Sequence, residues 1–247
     1  MIFIYLQIVG PEGRFSIGKS GFNLKNNPTY IVTLLILFAV INIASPDKNK
    51  TVVASSSYFP ANNDIALVYE SSFGESITKY VQDGEFIISS SEADKFKYRQ
   101  QMVMHESGVY VKETYQYLKI FLFIKKEATF TYEKPLLRFP LPLSPGMQWK
   151  WQGNEYSDGD TNYVKVTGKS FNKEFILTKA GRFEAIKVVS IVEGSENSKN
   201  TVTEWYTEGI GLIKAKIIIE GGGLMGFLRD FLGYGIIEFE LKEIRNL

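Results

Sequence analysis

Polar and hydrophobic residues alternate along the segment 202–220, and this period of two is typical of β-strands with one buried face. Before a glycine turn, one face carries Val202, Glu204 and Tyr206, and the other carries Thr203, Trp205 and Thr207. After the turn, the shared face is apolar and consists of Ile213, Ala215, Ile217 and Ile219. Gly209 and Gly211 bracket Ile210, which predicts backbone at positive φ or a β-bulge between two strands.

The same alternation predicts roughly eleven to thirteen strands and almost no helix. Asp83-Gly84 is a strong signal for a tight hairpin between two of these strands. The other predicted strands are 65–71, 76–81, 85–90, 96–104, 109–117, 118–124, 129–133, a strand that carries Trp149 and Trp151 on one face, 163–168, 171–178, 181–193 and 236–244. Four prolines predict an extended edge or connector over 134–146, and polar loops are predicted at 154–162 and 194–200.

These elements predict an all-β fold, a strongly curved and mostly antiparallel sheet in the form of a half-barrel or open barrel. A short helix over 227–232 is expected to cap the sheet near the C-terminus. An apolar signal helix is expected at the N-terminus, before the first strand of the sheet. We predict one exported domain, 51–247, behind an N-terminal region, 1–50, that comprises an upstream extension and a signal peptide or signal anchor.

The N-terminal prediction depends on an apolar run of about fifteen residues, 30–44. Such a run is short for a membrane span, which needs about 20 residues, and fits the apolar region of a signal peptide. Cleavage after Ala44, an uncleaved anchor and a buried core helix all remain open. Residues 1–23 fit a signal peptide poorly, and we hypothesise that translation begins at Leu24.

The amino-acid composition excludes several kinds of catalytic site, metal site and binding partner. The 247 residues include no cysteine, which excludes disulfides, thiolate catalysis, sulfur-based zinc sites and a lipid-anchored cysteine. The formal net charge is +1 and the charges are interspersed, so there is no electrostatic footprint for nucleic acid. The single histidine, His105, cannot form a metal cluster of its own.

The glycine-rich segment 221–226 matches the G-x-G-x-x-G pattern of dinucleotide-binding folds. The following helix would be too short, and the chain ends one strand later, so no nucleotide or other cofactor is expected. The neighbouring apolar residues instead predict a short helix that caps the open end of the sheet, with a mobile lid or a surface that contacts lipid or a partner as the alternative. The candidate residues of this surface are Leu224, Met225, Phe227 and Phe231.

Catalytic candidates are sparse. Asp158 and Asp160 lie in a polar segment that lacks the spacing of a calcium loop, so a solvated hairpin turn is the preferred interpretation. His105 beside Glu106 lacks a nucleophile or a second acid nearby in sequence. We therefore expect no metal site and no catalytic residue, although carboxylates that are distant in sequence could still pair in space.

Four groups of residues resemble a family of exported bacterial proteins, the domain of unknown function 3108 and its relatives. These are Tyr58-Phe59-Pro60 with Tyr69; Phe139-Pro140-Leu141 with Pro145, Gly146 and Trp149; 180–185; and Trp205-Tyr206 with Gly209 to Lys214. Leu67 and Asp64 depart from the family pattern, which usually has tryptophan and glycine there. The resemblance implies a curved antiparallel sheet similar to the half-barrels of lipoprotein carriers, without established catalytic residues.

We therefore expect a non-enzymatic envelope module with a binding or structural role, located in the periplasm, at the cell surface or outside the cell. One alternative is a carrier that holds a lipid or other apolar ligand on the concave face of the sheet. Another is a hydrolase that uses dispersed carboxylates. The expected partners are a lipid or another envelope protein, with membrane contact only through an uncleaved N-terminal segment.

Overall fold

The computed structural model describes residues 6–9, 31–34, 58, 60–61, 64–119, 125–194, 198–220 and 235–247. Within these ranges the regular elements are strands: β1 (Leu6–Val9), β2 (Ile31–Leu34), β3 (Ile65–Ser71), β4 (Gly74–Asp83), β5 (Phe86–Glu92), β6 (Phe96–His105), β7 (Gly108–Lys119), β8 (Lys125–Pro140), β9 (Gln148–Ser157), β10 (Asp160–Thr178), β11 (Gly181–Glu193), β12 (Lys199–Thr207), β13 (Gly211–Glu220) and β14 (Ile236–Asn246). No helix in the described ranges is long and apolar enough to cross a membrane.

Strands β3 to β14 form a closed barrel in which every strand is antiparallel to the next one along the chain. The last strand, β14, pairs with the first, β3, over Phe239–Asn246. The prediction of an all-β antiparallel sheet is confirmed. The half-barrel or open barrel is wrong, because pairing between the first and last strands leaves the sheet without an open edge at either terminus.

The predicted N-terminal helix is not confirmed. Ile31–Leu34, inside the apolar run, forms β2 and pairs antiparallel with β1. The rest of that run and the predicted capping helix at 227–232 lie outside the described residues.

Several predicted boundaries were wrong because strands continue through polar or proline-containing sequence. The predicted loop at 154–162 is instead the end of β9, a two-residue turn at Asp158-Gly159 and the start of β10. Both turn residues have positive φ, 50° and 89°, as a tight hairpin turn requires. Likewise, β8 extends through the first half of the proline-rich segment and ends at Pro140, before the cis Leu141–Pro142 peptide.

The proline segment was predicted to be an edge or a connector, and β8, which contains its first half, pairs only weakly with β9. We call the boundary between β8 and β9 the seam. These strands are in register only at Thr131 and Tyr132, whereas β8 and β7 pair along most of β8. Side chains bridge the seam. The indole N–H of Trp151 donates to the carbonyl of Pro135 at 3.1 Å, and a Glu133 carboxylate oxygen accepts from the Asn154 backbone N–H at 3.1 Å.

The up-and-down order gives the barrel two distinct ends. We call the end with the turns after β3, β5, β9 and β11 the upper end, and the end with the turns after β4, β6, β10 and β12 the lower end. Outward side chains form charged cross-strand pairs, such as Lys214–Glu240 at 2.8 Å and Lys216–Glu238 at 3.4 Å. Inward side chains form the core.

Candidate functional site

Inward side chains of β4–β7 form two polar rows, because facing residues of antiparallel neighbours lie directly opposite one another. One row runs through Thr78, Ser91, Tyr98 and Gln116. The other runs through Tyr80, Ser89, Gln100 and Thr114. All eight residues are buried, and we call this surface the polar wall.

Some side chains of the polar wall are hydrogen-bonded to each other. The Thr78 hydroxyl donates to Ser91 Oγ at 3.1 Å, and the Gln100 amide donates to Thr114 Oγ1 at 3.4 Å. Other buried polar atoms have no hydrogen-bond partner in the part of the chain that the structure describes: Ser76 Oγ, Ser89 Oγ and both amide atoms of Gln116. Since buried polar groups are normally hydrogen-bonded, these atoms are available to a molecule held in the interior.

Arg138 connects three sides of the interior. From β8, its guanidinium donates to the hydroxyl of Tyr206 on β12 at 2.9 Å and to the amide oxygen of Gln100 on β6 at 3.0 Å. Burial lowers the pKa of Arg138, and the nearby hydroxyls of Tyr206 and Tyr98 oppose that shift. A polar chain therefore runs from β12 through Arg138 to the polar wall.

Burial also keeps the interior tyrosines protonated. It raises the pKa of Tyr80 and of Tyr206 well above the usual value, although the positive charge of Arg138 acts in the opposite direction. The hydroxyl of Tyr69, which is also buried, donates to the carbonyl of Leu212 at 2.7 Å. These phenols therefore act as hydrogen-bonding groups rather than as anions.

The inward faces of β13 and β14 are apolar, and we call this surface the apolar wall. It consists of Ala215, Ile217, Ile219, Ile237, Phe239 and Leu241 on β13 and β14, all of them buried. Towards the upper end, the ring of Phe96 on β6 meets the ring of Phe239 edge-on, with 6.0 Å between centroids. The apolar wall and the polar wall approach each other at this aromatic contact, although β6 also contributes buried apolar residues such as Phe96 and Met102.

Glu155 is a buried carboxyl group on β9 near the upper end of the interior, with only 1% of the residue exposed. It lies opposite Tyr132 on β8 and Asn162 on β10, and its Oε1 has no hydrogen-bond partner among the described residues. Burial raises its pKa to about 8. Glu155 is therefore mostly protonated at neutral pH and can both donate and accept a hydrogen bond.

Trp149 and Trp151 lie on the same face of β9, as predicted; this face points inward, and both residues are buried. Trp149 packs against the backbone of Gly168 on β10, so closely that a Cβ at Gly168 would overlap the indole ring. The ring of Trp151 meets Tyr132 edge-on at 5.9 Å. These tryptophans form the apolar side of the interior next to Glu155.

The residues behind the family resemblance meet at the lower end. The Tyr58 hydroxyl donates to Glu208 at 2.9 Å. Gly209 and Gly211 have φ values of 77° and 101°, as predicted, and a Cβ at Gly211 would lie 3.1 Å from the Tyr58 carbonyl. Segments about 150 residues apart in sequence thus form one contact that positions the β12–β13 turn.

Other predicted motif residues have separate positions. Pro60 lies close enough to Gly211 to restrict a side chain there, and Pro140 ends β8 opposite Gly108. Tyr206 points inward to Arg138, whereas the Trp205 indole donates to Glu174 on the outer surface. Phe59 and the four lid candidates, Leu224, Met225, Phe227 and Phe231, lie outside the described residues.

The catalytic candidates do not come together. His105 ends β6 at the lower end, where its ring contacts Tyr110, while Asp158 lies in the turn at the upper end and Asp160 begins β10. Among the described residues, no group of three or more histidine or acidic side chains could hold a metal ion. The preferred interpretation of Asp158-Gly159 as a hairpin turn is confirmed.

Sequence reasoning missed the central interior residues. Glu155 continues the inward face of Trp149 and Trp151, but its polar sequence surroundings predict a loop from 154 onward. Extending the period of two by four residues would have found Glu155. Arg138 lies between two prolines in a segment with irregular pairing, so no pattern identified it as inward-facing.

Comparisons with known proteins give no family assignment. No family model and no curated protein matches the chain, so the resemblance to the domain of unknown function 3108 is not confirmed. Two solved structures are similar. A "putative lipoprotein" from Parabacteroides distasonis has 10% identity and a TM-score of 0.41, and the match covers 76% of this chain and 98% of that chain.

The second similar structure is a "putative exported protein with YmcC-like fold" from Bacteroides fragilis. It has 13% identity and a TM-score of 0.42, and the match covers 76% of this chain and 99% of that chain. At these identities and TM-scores, the likeness carries no inference about what the present chain does.

Proposed function

We propose that this protein is an exported, non-enzymatic binding protein that holds an amphipathic ligand inside its barrel. The observation that carries the proposal is that one closed barrel contains both a buried polar wall on β4–β7 and a buried apolar wall on β13 and β14. On the polar wall, Ser89 and Gln116 present hydrogen-bonding atoms without partners among the described residues. A core built only for stability favours apolar side chains or fully hydrogen-bonded polar ones.

The chemistry of the two walls defines the ligand class. Serine hydroxyls and a glutamine amide bind neutral donors and acceptors, such as the hydroxyl, amide or ester groups of a lipid head. The isoleucines of β13 and Phe239 offer a surface for a hydrocarbon chain. This favours a carrier of an amphipathic lipid over a carrier of a purely apolar molecule.

Native mass spectrometry of the protein purified from its own host under non-denaturing conditions tests this function. We expect a bound species of discrete mass that organic solvent extracts as a lipid. A purely structural module predicts the bare protein mass in every preparation, and that repeated result would overturn the proposal.

A double variant, Ser89→Val with Gln116→Leu, tests the site itself. We expect less bound lipid without a loss of stability, because replacing unpartnered buried polar groups by apolar groups of similar shape is close to neutral. Lys79→Ala, on the outward face of β4, is the matched control and should retain the lipid. Unchanged occupancy in the double variant would argue against the polar wall as the binding surface.

Export and the lack of catalysis belong to the same proposal. The apolar run at 30–44 supports export, and fractionation of host cells that express the tagged chain tests it. The separation of His105 from Asp158 and Asp160 argues against a shared reaction centre for these residues. If alanine variants at these three positions abolish a hydrolytic activity of the purified chain, the hydrolase alternative replaces this proposal.

A further inference from the structure

The end of β10 and the start of β11 leave the barrel wall as a two-stranded ribbon. The pairing of β10 with β9 ends at Lys169, and the pairing of β11 with β12 begins at Ile186. Between these limits, 173–178 and 181–186 pair with each other. We call residues 171–185 the ribbon.

The two faces of the ribbon differ. On one face, the opposed residues Ile176 and Phe183 pack against the core. On the other face, Phe175 and Leu177 lie opposite Glu184 and Arg182. Phe175 is 62% exposed and Leu177 is 75% exposed, which makes Leu177 the most exposed large hydrophobic residue in the described ranges.

Several contacts hold the ribbon in this orientation. The Lys173 ammonium lies 2.9 Å from Glu208 of the β12–β13 turn, and Lys179 pairs with Glu70 of β3. The Ala180 N–H donates to the carbonyl of Leu241 on β14 at 3.2 Å. The exposed face is therefore presented outward at the lower end by fixed contacts on three sides.

Basic side chains lie beside the exposed rings of Phe175 and Phe171. The Arg182 guanidinium lies 4.1 Å from the centre of the Phe175 ring, and Lys169 and Lys187 lie 5.2 Å and 5.6 Å from that of Phe171. Segment 169–187 contains five basic and two acidic residues, whereas the whole chain has a net charge of only +1. Lys173 and Lys179 are engaged by Glu208 and Glu70. Arg182, Lys169 and Lys187 therefore supply the positive charge beside the exposed rings.

We propose that the ribbon docks the barrel on an anionic lipid surface. Exposed aromatic and aliphatic residues insert at the boundary between headgroups and acyl chains, while flanking Arg and Lys bind lipid phosphates. Phe175 and Leu177 supply the inserting groups and Arg182 supplies the neighbouring cation. This inference is independent of the ligand in the interior, because it concerns only the outer surface at the lower end.

The absence of native cysteine allows a local test in the full chain. An environment-sensitive fluorophore is attached to a Leu177→Cys variant, and vesicles of phosphatidylcholine with or without phosphatidylglycerol are added. The matched control is a Tyr163→Cys variant, labelled near the opposite end of the same strand. Because the probe reports its own surroundings, binding through the N-terminal apolar segment does not imitate the signal.

We expect a blue-shifted, brighter signal at position 177 with phosphatidylglycerol vesicles and no change at position 163. Phe175→Ser should weaken this response at least about tenfold, since it removes an inserting side chain. Arg182→Gln should weaken it about fivefold on anionic vesicles only. Circular dichroism verifies that each variant is folded.

An unchanged signal at position 177 would overturn the proposal, as would equal signals at both positions. A shift that rises with protein concentration in the absence of vesicles would also overturn it, because the ribbon would then contact a second copy of the chain instead of lipid. A response that is equal on vesicles with and without phosphatidylglycerol would remove the role assigned to the basic residues and contradict the anionic surface.

Discussion

The contact between Trp149 and Gly168 shows how one missing side chain determines local packing. The Trp149 indole occupies the space where any other residue at 168 would place its Cβ. Both residues lie inside the barrel on paired strands, so neither can move outward without breaking the β9–β10 ladder. The glycine at this position is required by packing and not by its backbone conformation.

We predict that Gly168→Ala lowers the free energy of unfolding by about 1–3 kcal/mol, the usual cost of an overpacked core. Thr161→Ala, on the outward face of the same strand, should change it by less than about 0.5 kcal/mol. Urea unfolding followed by tryptophan fluorescence measures both values. Equal effects of the two substitutions would contradict the packing argument.

Glu155 makes the stability of the protein depend on pH. Its pKa is about 8 in the folded chain, and 4.5 is the ordinary value. Between these values the folded state keeps a proton that the unfolded state has lost, so stability falls as pH rises. The loss is at most about 1.4 kcal/mol per pH unit and ends above the folded pKa.

Glu155→Gln should remove this contribution. We predict that the variant gains stability relative to the native chain between about pH 5 and about pH 8, with no further gain at higher pH. Thermal unfolding of both proteins across this range measures the difference in Tm. Parallel pH profiles for the two proteins would show that Glu155 is not buried as a neutral acid.

At the scale of strands and turns, the predicted strand bounds and turns are correct where one face of the strand is apolar and the turn has a recognisable sequence. The bounds of β3 and β11 match the prediction, and Asp83-Gly84 lies at the β4–β5 hairpin as expected. Errors arose where inward residues are polar, because Glu155 and Ser157 of β9 look like loop residues in sequence. Burial inside a barrel overrides that local preference.

The seam between β8 and β9 should be the weakest lateral contact of the barrel. We predict that amides in 148–153 exchange with deuterium faster than those in 188–192, because β11 is paired on both sides. Hydrogen-exchange mass spectrometry compares the two segments directly. Slower exchange in 148–153 would contradict the seam.

Side chains across the seam offer a second measurement. Trp151→Phe removes the indole donor to Pro135 and should accelerate exchange in 148–153 further. Trp205→Phe is the matched control, because its indole donates to Glu174 on a different part of the surface. It should leave exchange in 148–153 unchanged.

At the scale of the whole molecule, closure of the sheet depends on β3 and β14, which lie at the two ends of the described barrel sequence. Their pairing also joins the polar wall that begins at β4 to the apolar wall on β13 and β14. Without it, both walls would face solvent. The closed barrel therefore creates the interior on which the proposed function depends.

Paired cysteines can test this closure, since the chain has none of its own. We predict that Glu70→Cys with Glu240→Cys forms an intramolecular disulfide, because these residues lie opposite each other on β3 and β14. Lys79→Cys with Glu240→Cys should form none, because Lys79 lies on β4, two strands from β14. Mass spectrometry without reductant shows whether each double variant contains a disulfide. A disulfide in both double variants, or in neither, would contradict the register of β3 and β14.

The sequence alone determined the class of fold and much of its local structure, because strand alternation and glycine turns depend on near neighbours in the chain. It placed Tyr206 with Val202, Ile213 with Ile217 and Trp149 with Trp151 on shared faces. It also indicated positive φ or a bulge at Gly209 and Gly211, and both residues have positive φ. Only the tertiary structure decided that the sheet closes, that Arg138 reaches Gln100 and Tyr206, and that Glu155 is buried. These features join residues far apart in sequence, and a one-dimensional pattern of polar and apolar residues does not say which distant strands meet.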